Sequence, residues 1–157
     1  MAEIKKEKIE KIKNLIEELL LKMNVLGQVE VIENIDGFQF IIRTHEGGLL
    51  IGENGKTLVS FNHIIKKIIG KEVDKDETAF AFSLDVNDYQ TKRIEDLKNI
   101  ARVNAQRVRF FKKEVALRAM SSFERRVIHA ILSDYPDITT ESKGSEPRRQ
   151  VVIKPYP

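Results

Sequence analysis

The sequence contains no cysteine and no tryptophan, and only three histidines, four prolines and eight glycines among its 157 residues. Without cysteine there is no disulfide, no zinc knuckle and no thiol nucleophile, and a reducing cytoplasm is the expected location. Long apolar runs are missing too. Leu15–Leu26 is the nearest to one, and Glu17, Glu18 and Lys22 break it, so no membrane span is expected. Lys5, Lys6 and Lys8 stand where a signal peptide needs apolar residues. His45 and His63 have no acidic partner at a metal-ligand spacing and read as a loop residue and a helix-surface residue. No Walker loop, nucleophile elbow or paired-carboxylate motif occurs. These absences leave no expected metal or cofactor and no enzyme. They point to a binding protein of one or two small domains.

Charge is present in quantity but unevenly spread. Residues 1–91 carry twelve Lys/Arg against sixteen Asp/Glu, a net of −4; residues 92–126 carry eleven against four, a net of +7; the remainder balances. A local positive field of this size is what a polyanion binder presents. A plain solvated helix face is the competing explanation.

Hydrophobic periodicity orders the chain. Ile9, Ile12, Ile16, Leu19 and Met23 line one face of a helix over residues 3–25, with Gly27 as its stop. A hairpin follows, with Asp36-Gly37 as its turn and Phe38, Phe40 and Ile42 alternating on the return strand. Leu49–Ile51 makes a short helix. After Gly55, Leu58, Phe61, Ile64, Ile65, Ile68 and Ile69 mark a longer helix ending at Gly70. A charged turn over Lys71–Glu77 leads to a strand carrying Phe80, Phe82, Leu84 and Val86. Asn87 or Asp88 caps a long basic helix with Ile94, Leu97, Ala101, Val108 and Phe111 as its apolar stripe. That helix reads as a shared strut rather than a flexible linker. Phe110, Phe111 and Tyr89 fit the apolar period and read as core. A short strand at Val115–Leu117, a helix over Phe123–Leu132 capped by Ser121 or Ser122, and two strands at Ile138–Thr140 and Val151–Ile153 complete the chain.

Two constellations carry chemistry. Gly52-Glu53-Asn54-Gly55 joins the short helix to the longer one. Glycines without a Cβ let a backbone approach a partner closely, and KH modules use such a loop to clamp about four nucleotides of a single strand. The element order helix, strand, strand, short helix, loop, helix, strand is that of a type II KH domain. Ile51, Leu58 and Ile42 would floor its groove. Glu53 repels phosphate, and Lys56 offsets this in part. The second constellation is Arg125 and His129, four apart on one helix face with Arg126 beside them. A guanidinium offers a planar fork of donors to phosphate. An ordinary half-buried histidine is the alternative for His129.

Met120–His129 and Thr140–Ile153 resemble the signature helix and the last loop and strand of the R-three-H domain, named for its Arg-x-x-x-His motif. A KH module followed directly by that domain is similar to the Jag family of bacterial proteins (SpoIIIJ-associated proteins), as is the junction Leu84–Tyr89. The resemblance covers about residues 27–155. It implies an α+β protein with a type II-like KH domain over 1–88 and a small single-stranded nucleic-acid-binding domain over 89–157, joined by the long basic helix. It implies single-stranded RNA binding, with single-stranded DNA as a competitor, in post-transcriptional regulation. Gly52–Gly55 would be the clamp, Arg125 and His129 the phosphate-facing pair, and Arg149 their companion. The alternative it implies is an adaptor that pairs with a small single-KH protein in cell elongation or division. The family commonly carries a further N-terminal domain, whereas this chain starts with the helix of its first module. The basic stretch Lys92–Arg126 is expected to hold most phosphates, so changes there should weaken binding more than changes at Glu53.

Overall fold

The computed structural model describes residues 2–73 and 80–157, which divide into two units, Met1–Gln90 and Thr91–Pro157. In the first unit, α1 (Ala2–Lys22) precedes a hairpin of β1 (Gly27–Asn34) and β2 (Gly37–Thr44). Next come α2 (Gly47–Ile51), a single 3-10 turn (Glu53–Gly55), α3 (Lys56–Val73) and β3 (Phe82–Val86). β2 is central, antiparallel to β1 and parallel to β3. The parallel pair demands a crossover, which α2 and α3 supply. Ile12, Ile16 and Leu20 of α1, Leu58, Phe61, Ile65 and Ile69 of α3, and Phe40, Ile42, Leu84 and Val86 of the sheet form one core.

Several local expectations need correction. α1 buries Leu20 rather than Met23, and it ends before Gly27. Asn24 adopts φ 56°, and the Val25 N–H donates to the Leu20 carbonyl. This is the left-handed stop that asparagine tolerates. The hairpin loop is Ile35-Asp36, since Asn34 pairs with Gly37. Gly37 serves a different need: a Cβ there would lie 2.3 Å from the Ala81 carbonyl oxygen, to which the Phe38 N–H donates. α3 runs past Gly70 to Val73. Most of the charged turn expected over Lys71–Glu77 lies outside the described residues. Phe80 precedes β3 and stacks on Phe38 at 4.9 Å.

α4 (Tyr89–Phe111) starts at the end of the first unit and continues in the second. The buried Asp85 carboxylate accepts from the Gln90 and Val86 N–H groups, and burial raises its pKa despite those bonds. Asn87 bridges Thr44, accepting from its N–H and donating to its carbonyl.

The second unit continues with β4 (Val115–Ala119), α5 (Ser122–Leu132), β5 (Ile138–Lys143) and β6 (Gln150–Pro155). Its sheet is antiparallel in the order β4-β6-β5, with a register irregularity between Ala116 and Ala119. Leu97, Ala101, Ala105 and Val108 of α4 pack with Ile128 and Leu132 of α5 and with Val151 and Ile153 of β6. The small alanines let helix and sheet approach closely. No phenylalanine enters this core. Phe110 is 81% exposed and Phe111 62%, which overturns their assignment to the apolar stripe.

Candidate nucleic-acid interface

In the first unit the Gly-x-x-Gly loop has a definite geometry. Gly52 takes φ 71° and Gly55 φ 77°, and Asn54 between them is also left-handed at φ 52°. The missing Cβ atoms face the protein's own chain. At Gly52 a Cβ would lie 2.0 Å from Thr57 Oγ1 and 3.0 Å from the Thr57 amide nitrogen; at Gly55 it would lie 3.0 Å from the Tyr89 ring. The glycines are therefore required by the loop itself. Glu53, Asn54, Lys56 and Thr57 are the residues it exposes. They stand at the start of α3, where free N–H groups and the helix dipole favour an anion. Ile42 and Leu58 are buried in the core rather than lining a groove. Ile51 is half-buried, and Leu49 is the exposed apolar residue beside the loop.

In the second unit a capping box starts α5. Ser121 Oγ accepts from the Glu124 N–H, and the Glu124 carboxylate accepts from the Ser121 N–H. Glu124 also accepts from Arg93, by Nε at 2.6 Å and by Nη2. Burial alone would raise its pKa, but the Ser121 N–H and Arg93 outweigh it and hold the carboxyl below its usual range.

Arg125 follows Glu124 directly, and His129 stands one turn on. Arg125 is only 8% exposed. Its Nη1 donates to the Met120 carbonyl at 2.6 Å and its Nη2 to Glu146 at 2.8 Å. His129 is half-buried, with Nδ1 2.6 Å from Thr140 Oγ1 and Nε2 2.7 Å from Ser142 Oγ. Thr140 and Ser142 alternate on β5 and so share one face of the strand. Burial and the Arg125 charge push the imidazole below its ordinary pKa. Both causes favour the neutral ring, in which one nitrogen donates and the other accepts. The pair fastens α5 to β5 and to the β5–β6 loop. That loop carries Arg148 and Arg149, both exposed.

Apart from Lys112, which is exposed and whose charge acts on Asp137, the basic stretch divides into two sets. Arg93, Lys98, Arg109 and Arg125 make ion pairs, and Arg102 bonds to Asn99. Lys92, Arg107, Lys113, Arg118 and Arg126 are exposed, as are Arg148 and Arg149. Among the described residues none of these seven side chains makes an ion pair or hydrogen bond. Four of the eleven cations between Lys92 and Arg126 are therefore committed to ion pairs. The residues that sequence reasoning missed are Glu146, Thr140, Ser142 and Arg93. All are partners brought in from distant positions, and no local pattern marks them. Among the described residues no group of three or more His, Asp or Glu could hold a metal, and no helix is long and apolar enough to cross a membrane.

The R-three-H domain model matches residues 95–155. An RNA-binding protein KhpB of Clostridium symbiosum is 32% identical over 133 residues, covering 85% of this chain and 59% of that protein. The protein of the same name from Lactiplantibacillus plantarum is 36% identical over 110 residues, 70% of this chain and 33% of its own length. That of Bacillus subtilis is 30% identical over 129 residues, 81% and 61% respectively. The chain thus spans about a third to three-fifths of the length of these relatives.

Proposed function

Because the chain belongs to the Jag family, whose KhpB members are named as RNA-binding proteins, we propose that it binds single-stranded RNA as a cytoplasmic regulator and catalyses no reaction. The observation that carries this reading is the set of unpaired cations on the second unit. Arg126 on α5 and Arg148 and Arg149 on the β5–β6 loop stand exposed, next in sequence to the residues of the Arg125–Glu146 link or on the same loop. Phosphates are met by these outward cations. Arg125 and His129 contribute by holding the helix and loop that present them. The first unit is read as a type II KH domain. Its support is the α-β-β-α-α-β order, the parallel β2–β3 pair and the loop between α2 and α3. Glu53, Asn54, Gly55 and Lys56 then position the strand, with Gly52 shaping the turn.

The second reading is pairing with a small single-KH protein. Leu49 of α2 and Val59 and Ile64 of α3 favour it, being apolar and exposed.

The test is fluorescence anisotropy of a labelled single-stranded RNA, with unlabelled single-stranded DNA as competitor, across a salt series. Binding through Z phosphates to a single strand gives a log–log salt slope of about −0.7Z. Arg126→Ala and Arg149→Ala should each weaken binding and reduce the slope by about 0.7. Affinity that stays flat with salt would defeat the electrostatic account.

A further inference from the structure

Eight phenylalanines occur in the chain. Five of them, Phe38, Phe40, Phe61, Phe80 and Phe82, pack in or against the first core. The three in the second unit, Phe110, Phe111 and Phe123, are all exposed. Phe110 and Phe111 form a pair, ring centroids 5.0 Å apart and planes at 81°, at the last turn of α4. Adjacent residues on a helix diverge by about 100°, so the two rings offer two differently oriented faces. Leaving two large rings in water is unfavourable for a soluble chain unless they are covered in use.

The surroundings say what covers them. Lys112 and Lys113 follow directly and Arg107 lies three residues before Phe110. Lys112 takes φ 54° and ends the helix there. The acids nearby are Asp137, held by Nε and Nη2 of Arg109 and also within the field of Lys112, and Glu114. A protein partner's apolar patch would not call for this cationic rim. A single strand does, because its bases have π-faces and its phosphates are negative. We propose that Phe110 and Phe111 are a base-stacking platform for single-stranded nucleic acid, with Arg107, Lys112 and Lys113 holding the adjoining phosphates. The platform extends the RNA-binding reading above and rests on it.

The placement is coherent within the second unit. Val115 pairs with Ile153 at the aromatic end of β4, and Ala119 pairs with Gln150 beside the basic loop. Those ends are roughly 13 Å apart at strand rise. The exposed Arg118 lies between them. An extended strand of a few nucleotides therefore reaches from the platform to Arg148 and Arg149.

The experiment uses the full chain and a fluorescein-labelled single-stranded RNA, plus the same RNA carrying 2-aminopurine, whose emission is quenched by stacking. The double variant Phe110→Ala/Phe111→Ala should bind roughly 5-fold or more weaker, the low end of what one stacked base contributes, with an unchanged salt slope and lost quenching. Phe110→Leu/Phe111→Leu, which keeps apolar bulk, should lose quenching as well. Because both rings are exposed, thermal unfolding should not move. Wild-type binding with unaltered affinity and quenching in both variants overturns the platform while leaving the RNA-binding reading standing. A wild-type chain that does not bind RNA overturns both. A change in oligomeric mass in the alanine variant, with RNA affinity intact, identifies the pair as a protein contact and also overturns the platform.

Discussion

Replacing Arg125 by methionine tests whether this residue would itself touch RNA or only shape the surface proposed to bind it. Arg125 donates to the buried Met120 carbonyl and to Glu146. A hydrogen bond from a charged donor contributes roughly 1.5–3 kcal/mol. The Glu146 carboxylate is 61% exposed, so that pair adds at most about 1 kcal/mol. Methionine keeps much of the packing of the arginine stem. The expected loss is therefore about 2–3 kcal/mol, dominated by the Met120 carbonyl. In native-state hydrogen exchange this speeds exchange of α5 and the β5–β6 loop by roughly 30- to 150-fold, at about 1.4 kcal/mol per decade. Amides of the first unit should be unmoved. Removing the guanidinium also removes a charge that lowers the His129 pKa, so the imidazole titration followed by NMR should shift upward. Arg126→Ala, at an exposed unpaired position, should leave exchange within about 0.5 kcal/mol of the parent and still weaken RNA binding. The reasoning is refuted if Arg125→Met leaves exchange in α5 unchanged while its RNA affinity falls as far as that of Arg126→Ala.

Two further outcomes follow from the same geometry. His129 has a folded pKa below its ordinary value of 6.5, so the unfolded chain takes up a proton that the folded one resists, and stability falls as pH drops through about 6.5. Urea midpoints measured above and below that pH should show the loss, and His129→Gln should flatten it; a loss of equal size in the variant would assign it elsewhere. Gly52→Ala should destabilise the first unit by about 1–3 kcal/mol, since a Cβ there would lie 2.0 Å from Thr57 Oγ1 and 3.0 Å from the Thr57 nitrogen at a φ of 71°; an unmoved urea midpoint would refute this. By contrast Glu53→Lys, at an exposed position, should leave the melting temperature in place and tighten RNA binding severalfold; unchanged affinity there would remove the loop from the binding path.

Much of the order of elements was legible in the sequence because apolar spacing reports which face of an element is buried. It reports less well where an element stops. Leu20 and Met23 both suit the stripe of α1, but Asn24 turns left-handed and Met23 is left exposed beyond the last buried turn. Phe111 lies three residues after Val108 and fits the α4 stripe equally well. The helix ends there, and no residue of the second core covers it. At three glycines the chain's own residues occupy the side where a Cβ would stand. The contact at Gly37 is Ala81, at Gly52 it is Thr57, and at Gly55 it is Tyr89. These partners lie 44, 5 and 34 residues away along the chain, the two distant ones beyond the reach of any local rule.

The candidate site shows the same limit in a more useful form. Gly52, Gly55, Arg125 and His129 are the residues that make the two motifs recognisable, and all four are committed inward: to Thr57, to Tyr89, to Met120 and Glu146, and to Thr140 and Ser142. The exposed positions are their neighbours, Glu53, Asn54, Arg126, Arg148 and Arg149. A motif imposed by folding tolerates little change, because each of its residues satisfies a buried partner or a left-handed backbone. Outward neighbours carry no such constraint and are free to set affinity. The motif thus locates the surface, while the charge and aromatic character of the adjacent residues decide what that surface holds. On the proposed reading Glu53 disfavours phosphate at the first-unit loop, and the larger share of binding energy is expected from the unpaired cations of the second unit with the Phe110–Phe111 pair.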